Sequence, residues 1–238
     1  MTDLRANTLG IAVPAGVDAV IAWLTQRLQD HWNGRYYVSI LEPVNPRPGY
    51  DPNIDIVLAS NYGALPPTDG QLLATAALLR QQWADPASPN AYPINATDGA
   101  LGFGPMLGRY PGDVYDGDGD SGNDNTDHPW ALCTAGFAQL YYAIAGSIIQ
   151  SATVPYNSLS AAFFGQIGIE SSTTAADAAA RLRHAGDGML QALIRHSDHL
   201  ELSEQFDGAT GYEKSVRNLT WSYAAFLSAV RARTASMS

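Results

Sequence analysis

Two stretches of the chain carry residues whose types and spacing could do chemistry. In LSEQFDGATGYEKSVRNLTWSYAAFL, residues 202–227, a glutamate, Glu204, precedes a glycine-rich turn and then a segment bearing Trp221. A carboxylate beside an aromatic suits sugar chemistry. The indole covers the apolar face of a pyranose while the carboxylate activates water or stabilises developing positive charge. Taken alone the pair is a weak signal, because a loop glutamate is ordinarily solvated and a helix tryptophan is ordinarily core. The second stretch, GRYPGDVYDGDGDSGNDNTDHPW, residues 108–130, holds six aspartates. Counted from Asp116, aspartates fall at loop positions 1, 3, 5, 9 and 12: Asp116, Asp118, Asp120, Asp124 and Asp127. That is close to the EF-hand spacing, in which alternate side chains converge on one calcium ion. Position 6 is Ser121 rather than glycine, position 12 is Asp127 rather than glutamate, and no clear helix precedes the loop. A calcium site and a hydrated acidic loop are both open readings. The HSDH run, His196 to His199, falls at the end of a helical pattern, where histidine complements the helix dipole and needs no metal.

These stretches must be positioned by helices. Val17, Ile21, Leu24 and Leu28 recur at spacings of four and three, as do Leu72, Ala76, Leu79 and Trp83. Thr68-Asp69-Gly70-Gln71 reads as a capping box that fixes the start of the second helix. Pro129 opens a third, where Trp130, Cys133, Phe137, Leu140, Ile144 and Ile148 continue an apolar pattern on most sides, so this helix is expected to be buried. Further helices are predicted over Leu159 to Ile167, over roughly Ala175 to Ile194 with Leu182, Met189 and Leu193 on one face, and from near Thr220 through Trp221, Ala225 and Leu227. RYYVSIL, after the Asn33-Gly34 turn, predicts one short strand. There is no tandem repeat and no dividing linker, and the long connections are rich in Gly, Pro, Asn and Asp. Such loops are more often functional than idle. The class is all-α with elaborate loops, read as one region over residues 1–238.

Composition narrows the partners. The chain has 238 residues, a net charge of −10, and only 13 lysines and arginines. Nucleic acid and anionic membrane both need a basic footprint, so neither is expected as a partner. The single cysteine, Cys133, excludes an internal disulfide framework and reads as a small core residue. No run reaches the roughly 18 apolar residues of a bilayer span. The start, MTDLRANTLGIAVPAG, lacks the basic head and apolar stretch of a signal peptide.

SEQFD followed by LTWSYAAFLSA resembles the closing signature of the microbial glucoamylases, glycoside hydrolase family 15. GRYPGDVYDG followed by PWALCTAGFAQLYYA resembles that family's other late motif, in the family's order and at compatible spacing. The similarity is clear over 108–229 and fainter over 16–107, through WNGRYYVSIL and DPNIDIVLASNYG. The resemblance implies a toroid of six inner and six outer helices, an (α/α)6 barrel with its active site at one end. It also implies inverting exo-hydrolysis of α-1,4 bonds in starch and malto-oligosaccharides, releasing β-glucose. Residue by residue it gives Glu204 the role of general base, and places Arg109, Asp113, Trp130 and Trp221 in the sugar-binding wall. Tyr110, Tyr115 and Gln205 match the motifs as support. No cofactor is required by the family; calcium on the acidic loop is an addition of this chain's own pattern. The family implies a secreted or periplasmic setting.

Departures from the pattern are specific. Gly112 stands where the family usually has glutamate, His128 replaces asparagine before Pro-Trp, and Asn218 replaces an aspartate in the run before Trp221. An inverting hydrolase needs two carboxyls roughly 6.5–9.5 Å apart. The family's acid lies in a Trp-Glu-Glu motif, preceded by an Arg-Asp pair that grips the substrate, and this chain has neither a Trp-Glu nor an Arg-Asp dipeptide. Six predicted helices instead of about twelve agree, so the chain resembles the C-terminal half of the catalytic domain, about half a toroid. Two other readings stand beside it: a carbohydrate-binding remnant that keeps Arg109, Trp130 and Trp221 without an acid, and a calcium-dependent interaction module. Half a toroid is also expected to self-associate or to dock a separate N-terminal half.

Overall fold

The computed structural model describes residues 16–41, 50–118 and 127–237. Eight helices occur among them: α1 (Val17–Asp30), α2 (Asp55–Asn61), α3 (Gly70–Ala84), α4 (Pro93–Ala100), α5 (Ala131–Ser151), α6 (Ala161–Gly165), α7 (Ala175–His196) and α8 (Thr220–Ala235). A two-stranded antiparallel ribbon, β1 (Gln205–Phe206) and β2 (Glu213–Lys214), lies between α7 and α8, with Gln205 opposite Lys214 and Phe206 opposite Glu213. The all-α expectation holds.

The core is built around α5. Both faces of this helix are apolar, and it packs lengthwise against α7 and α8 with α2 across a further side. It is long and apolar enough to cross a membrane by composition, yet two-thirds of it is buried among its neighbours, which makes it a core helix. Cys133 is fully buried in it, as its apolar context predicts. Close approach of α5 and α7 depends on Gly186, where a Cβ would come within 2.7 Å of the Tyr142 ring. A polar tie locks the three helices together. The Tyr142 hydroxyl donates to Asp187 (2.7 Å), which also receives both arms of the Arg233 guanidinium (2.6 and 2.9 Å).

Helix starts follow their caps. Asp69 accepts from the Leu72 amide at 2.8 Å, so the N-cap of α3 is the second residue of the predicted box rather than Thr68. Thr174 caps α7 by accepting from the Asp177 amide. Two helices escape the sequence pattern. α2 has seven residues and α4 has eight, too short to show a period, and α4 buries polar Asn95 and Asp98. The predicted strand over RYYVSIL is a turn closed by a single bridge between Trp32 and Tyr37. Asn33 accepts from the amides of Arg35 and Tyr36 there, and that local bonding outcompetes an extended arm.

α1 is the exception to the packing. None of its residues is buried, and Val20, Ile21, Trp23 and Leu24 are exposed.

Candidate active site

The predicted residues gather where α5 begins. The Ala131 amide, first of the helix, donates to the Glu204 carbonyl, and the Glu204 amide donates to the Val216 carbonyl. Trp130 bridges to Gln205 on the same line. Glu204 is therefore fixed from two sides by backbone bonds, and its side chain is 7% exposed. Its Oε2 accepts from the Ser215 hydroxyl. Gly117 packs against this pair so closely that a Cβ there would come within 2.9 Å of Oε2 and 2.7 Å of the Ser215 Cβ.

Arg109 forms the adjoining wall. Its Nε and Nη2 donate to the two oxygens of Asp113 (2.6 and 2.8 Å), and its guanidinium lies 4.3 Å from the Trp130 ring centre and 5.1 Å from that of Tyr115. Burial works against the Arg109 charge, and the Asp113 carboxylate more than offsets it, so the guanidinium is held ionised more firmly than usual. Trp221 stands 6.2 Å from Trp130 and is half-exposed, whereas Trp130 is buried. Arg109, Trp130 and Trp221 are thus brought together. Asp113 is brought in behind them: it is 1% exposed, and its Oδ1 also accepts from the Tyr115 amide. Its carboxylate is occupied by Arg109, so it lies one layer behind Arg109, Trp130 and Trp221.

The acidic loop divides. Asp116 pairs with the amino group of Lys214, the chain's single lysine, at 2.9 Å. Burial raises the Asp116 pKa, but the Lys214 contact and the Asp118 amide outweigh it and hold the carboxyl below its usual range. Asp118 accepts from the Ser215 amide (2.7 Å). Asp127 accepts from the Trp83 indole (2.8 Å) and the Tyr92 hydroxyl (2.7 Å), and burial pushes its pKa up to about 7. Asp120 and Asp124 lie outside the described residues. Among the described residues no group of three or more acidic, histidine or cysteine side chains is arranged to hold a metal. In the HSDH run, His196 bonds the buried Asp98 of α4 at 2.9 Å and so ties the end of α7 to the loop scaffold.

Ser215, Lys214 and Gly117 were not singled out by sequence. The register of β1 on β2 carries Lys214 and Ser215 beside Glu204, and a ribbon of two residues per strand leaves no periodic trace. Gln205, by contrast, acts as the support its motif implies. Its Oε1 accepts from the Gly117 amide (3.1 Å) and its Nε2 donates to the Tyr115 carbonyl (2.8 Å), stitching the acidic loop to β1. Asn218 sits at φ 54°, in the left-handed region that asparagine tolerates.

Comparison with known proteins bears on the family and the fold. The family described as Glycosyl hydrolases family 15 matches residues 13–231. Glucoamylase 1 of Rhizopus oryzae is 30% identical over 198 residues, covering 76% of this chain and 31% of that protein. Glucoamylase P of Amorphotheca resinae is 32% identical over 219 residues, covering 84% and 33%. Among solved structures, the family 15 glucoamylase from Hypocrea jecorina superposes with a TM-score of 0.77 at 25% identity, over 98% of this chain and 39% of that one. The glucoamylase of Hormoconis resinae gives 0.75 at 26%, over 97% and 40%. The chain spans about a third of the length of the curated relatives it matches, and its helices form part of an (α/α)6 barrel.

Proposed function

Because the chain belongs to glycosyl hydrolases family 15, we propose that it carries the base-bearing side of a glucoamylase active site. Its substrate class is α-1,4-linked glucan, starch or malto-oligosaccharide. The observation that carries this reading is the placement of a backbone-fixed, nearly enclosed Glu204 carboxylate beside the Arg109–Trp130–Trp221 wall. In the reaction, Glu204 accepts a proton from a water molecule as that water's oxygen bonds to the anomeric carbon. The bond from that carbon to the leaving oxygen breaks, and a second carboxylic acid supplies the proton the leaving oxygen takes up. Attack from the face opposite the leaving group inverts the anomeric centre and yields β-glucose. Trp221 covers the apolar face of the sugar, and Arg109, aimed by Asp113, donates to its hydroxyls.

The acid belongs to another part of the barrel. Asp116 is kept ionised by Lys214, and Asp127 is turned onto Trp83 and Tyr92. Glu213 is pushed upward by burial, yet it stands beside Lys214 on β2 and so points to the opposite face, into a cleft lined by Arg195, His196 and Arg217. One relative, from Saccharomyces cerevisiae, bears the name of an intracellular, sporulation-specific glucoamylase, so this reading does not depend on export.

Hydrolysis of maltotriose by the enzyme containing this chain, followed by the anomer of glucose released, tests the proposal. Glu204→Gln should cut β-glucose formation by about 10²–10⁴-fold with maltotriose still bound. Unchanged turnover in that variant removes Glu204 from the chemistry. Saturable maltose binding that needs Trp221, with no turnover in any setting, would favour a binding module instead.

A further inference from the structure

A second cavity, of about 520 Å³, opens between α3, α5 and α7 and shares no lining residue with the Glu204 wall. Arg80 from α3, Tyr141 from α5, Arg181 and His184 from α7, and Phe103 from the loop after α4 all face it. In a chain with 23 acidic residues against 13 lysines and arginines, two arginines and a histidine around one cavity form a local reversal of charge. Among the described residues neither Arg80 nor Arg181 has a carboxylate within ion-pair distance. The acidic residue at the rim, Asp177, is engaged by the Thr174 hydroxyl of the α7 cap (2.8 Å).

Two enclosed polar atoms point to a ligand. Tyr141 is 1% exposed, and its hydroxyl lies beside the Arg80 guanidinium, which partly offsets the upward push that burial gives the phenol. Even so, the Tyr141 hydroxyl and the Arg80 Nε are both sealed from solvent, and neither completes a hydrogen bond of normal geometry within the chain. Buried donors are almost always paired, and a buried phenol whose oxygen has only a guanidinium beside it still has an O–H without an acceptor. An oxyanion supplies such an acceptor, and a guanidinium presents its donors in a fork that matches a carboxylate or phosphate. The cavity is large enough for a small molecule, and the partly exposed side chains of Phe103 and Ile167 supply apolar surface for its body.

We infer that this cavity binds a small organic anion, its carboxylate or phosphate head on Arg80, Arg181 and the Tyr141 hydroxyl and its apolar body on Phe103. Benzoate and phenyl phosphate, titrated separately into the full chain by calorimetry, distinguish the two kinds of head. At least one is expected to bind saturably below about 1 mM, a level typical of a preformed small-ligand site. Arg181 is exposed, so Arg181→Ala should fold normally and weaken that binding by about tenfold or more, the scale of one charge-assisted hydrogen bond. Tyr141→Phe, which keeps the ring, should weaken it several-fold with the melting temperature retained. Absence of saturable heat with both probes overturns the site, as does affinity unchanged in both variants. Displacement of the probe by maltotriose would place it on the Glu204 wall and overturn the site equally.

Discussion

Gly117→Ala probes the packing around Glu204 without relying on turnover. Gly117 does not have a left-handed φ, so its backbone admits alanine, and the loss of unfolded-state freedom alone would favour the variant by about 0.4–1 kcal/mol. The added Cβ, however, would overlap the Ser215 hydroxyl, come within 2.7 Å of the Ser215 Cβ and reach 2.9 Å from Glu204 Oε2. Ser215 follows β2 directly, at φ 65°, and its amide is bonded to Asp118 (2.7 Å). Overpacking of this kind costs about 1–3 kcal/mol, and the resulting net loss near 1 kcal/mol lowers the melting temperature of a chain this size by roughly 2–4 °C. Ser215→Gly removes the obstructing atoms and relieves the left-handed strain. It also deletes the hydroxyl's bond to the carboxylate, so alone it should be destabilising by no more than ~2 kcal/mol. In the double variant only the mobile end of Glu204 remains against the new methyl, and the two substitutions should couple by about 1 kcal/mol or more. Thermal or urea unfolding of the four proteins gives that coupling directly. Equal effects of Gly117→Ala with and without Ser215 would refute the contact.

Burial of Asp127 sets a pH signature. Its folded pKa of about 7 lies above the ordinary 3.8, so between those values the folded chain holds a proton that the unfolded chain has released. Stability from this group is full below pH 4 and is lost as pH rises to 7, at up to about 1.4 kcal/mol per pH unit. The difference in melting temperature between the native chain and Asp127→Asn should change across pH 5 to 7, and a constant difference contradicts the burial. Calcium at millimolar concentration should leave the melting temperature unchanged, because Asp116, Asp118 and Asp127 already have protein donors. A rise that Asp118→Ala abolishes would restore the ion site. Exposed Val20, Ile21, Trp23 and Leu24 make α1 an apolar face, and the chain alone should self-associate through it. Light scattering should show a monomer only after Ile21→Asp with Leu24→Asp, and a monomer from the unchanged chain removes that role from α1.

The long helices were legible because burial imposed a period. The stripes of Leu72, Ala76, Leu79 and Trp83, and of Leu182, Met189 and Leu193, are all buried faces of α3 and α7. The stripe of α1 has the same form, yet only Leu28 at its end reaches the core, for a pattern records what a helix is fit to bury rather than what it meets. Short elements were illegible for the opposite reason. α2 and α4 are held by tertiary bonds such as Asn95 to the carbonyls of Trp83 and Met106, which no local window contains. Glu204, Arg109, Trp130 and Trp221 could be named from their motifs, and the fold gathers them. The division of labour among the aspartates could not, since it turns on one lysine reached across a two-residue ribbon.

That division bears directly on which carboxylate can act. Asp113 is neutralised by a bidentate arginine and Asp116 by the lone lysine, so both are spent on holding the wall in place. Asp127 is withdrawn into aromatic surroundings and faces Trp83 and Tyr92 instead of the loop. Glu204 differs from all three. Among the described residues it has no ion-pair partner, only the neutral Ser215 hydroxyl, while its backbone is pinned to α5 and to Val216. A hydroxyl orients one oxygen of the carboxylate and leaves the other for water. The positive groups nearby are each already matched to an aspartate. The acidic loop, read from sequence as an ion site or a solvated excursion, thus keeps Lys214 and Arg109 engaged and leaves the Glu204 carboxylate without a cation beside Arg109, Trp130 and Trp221.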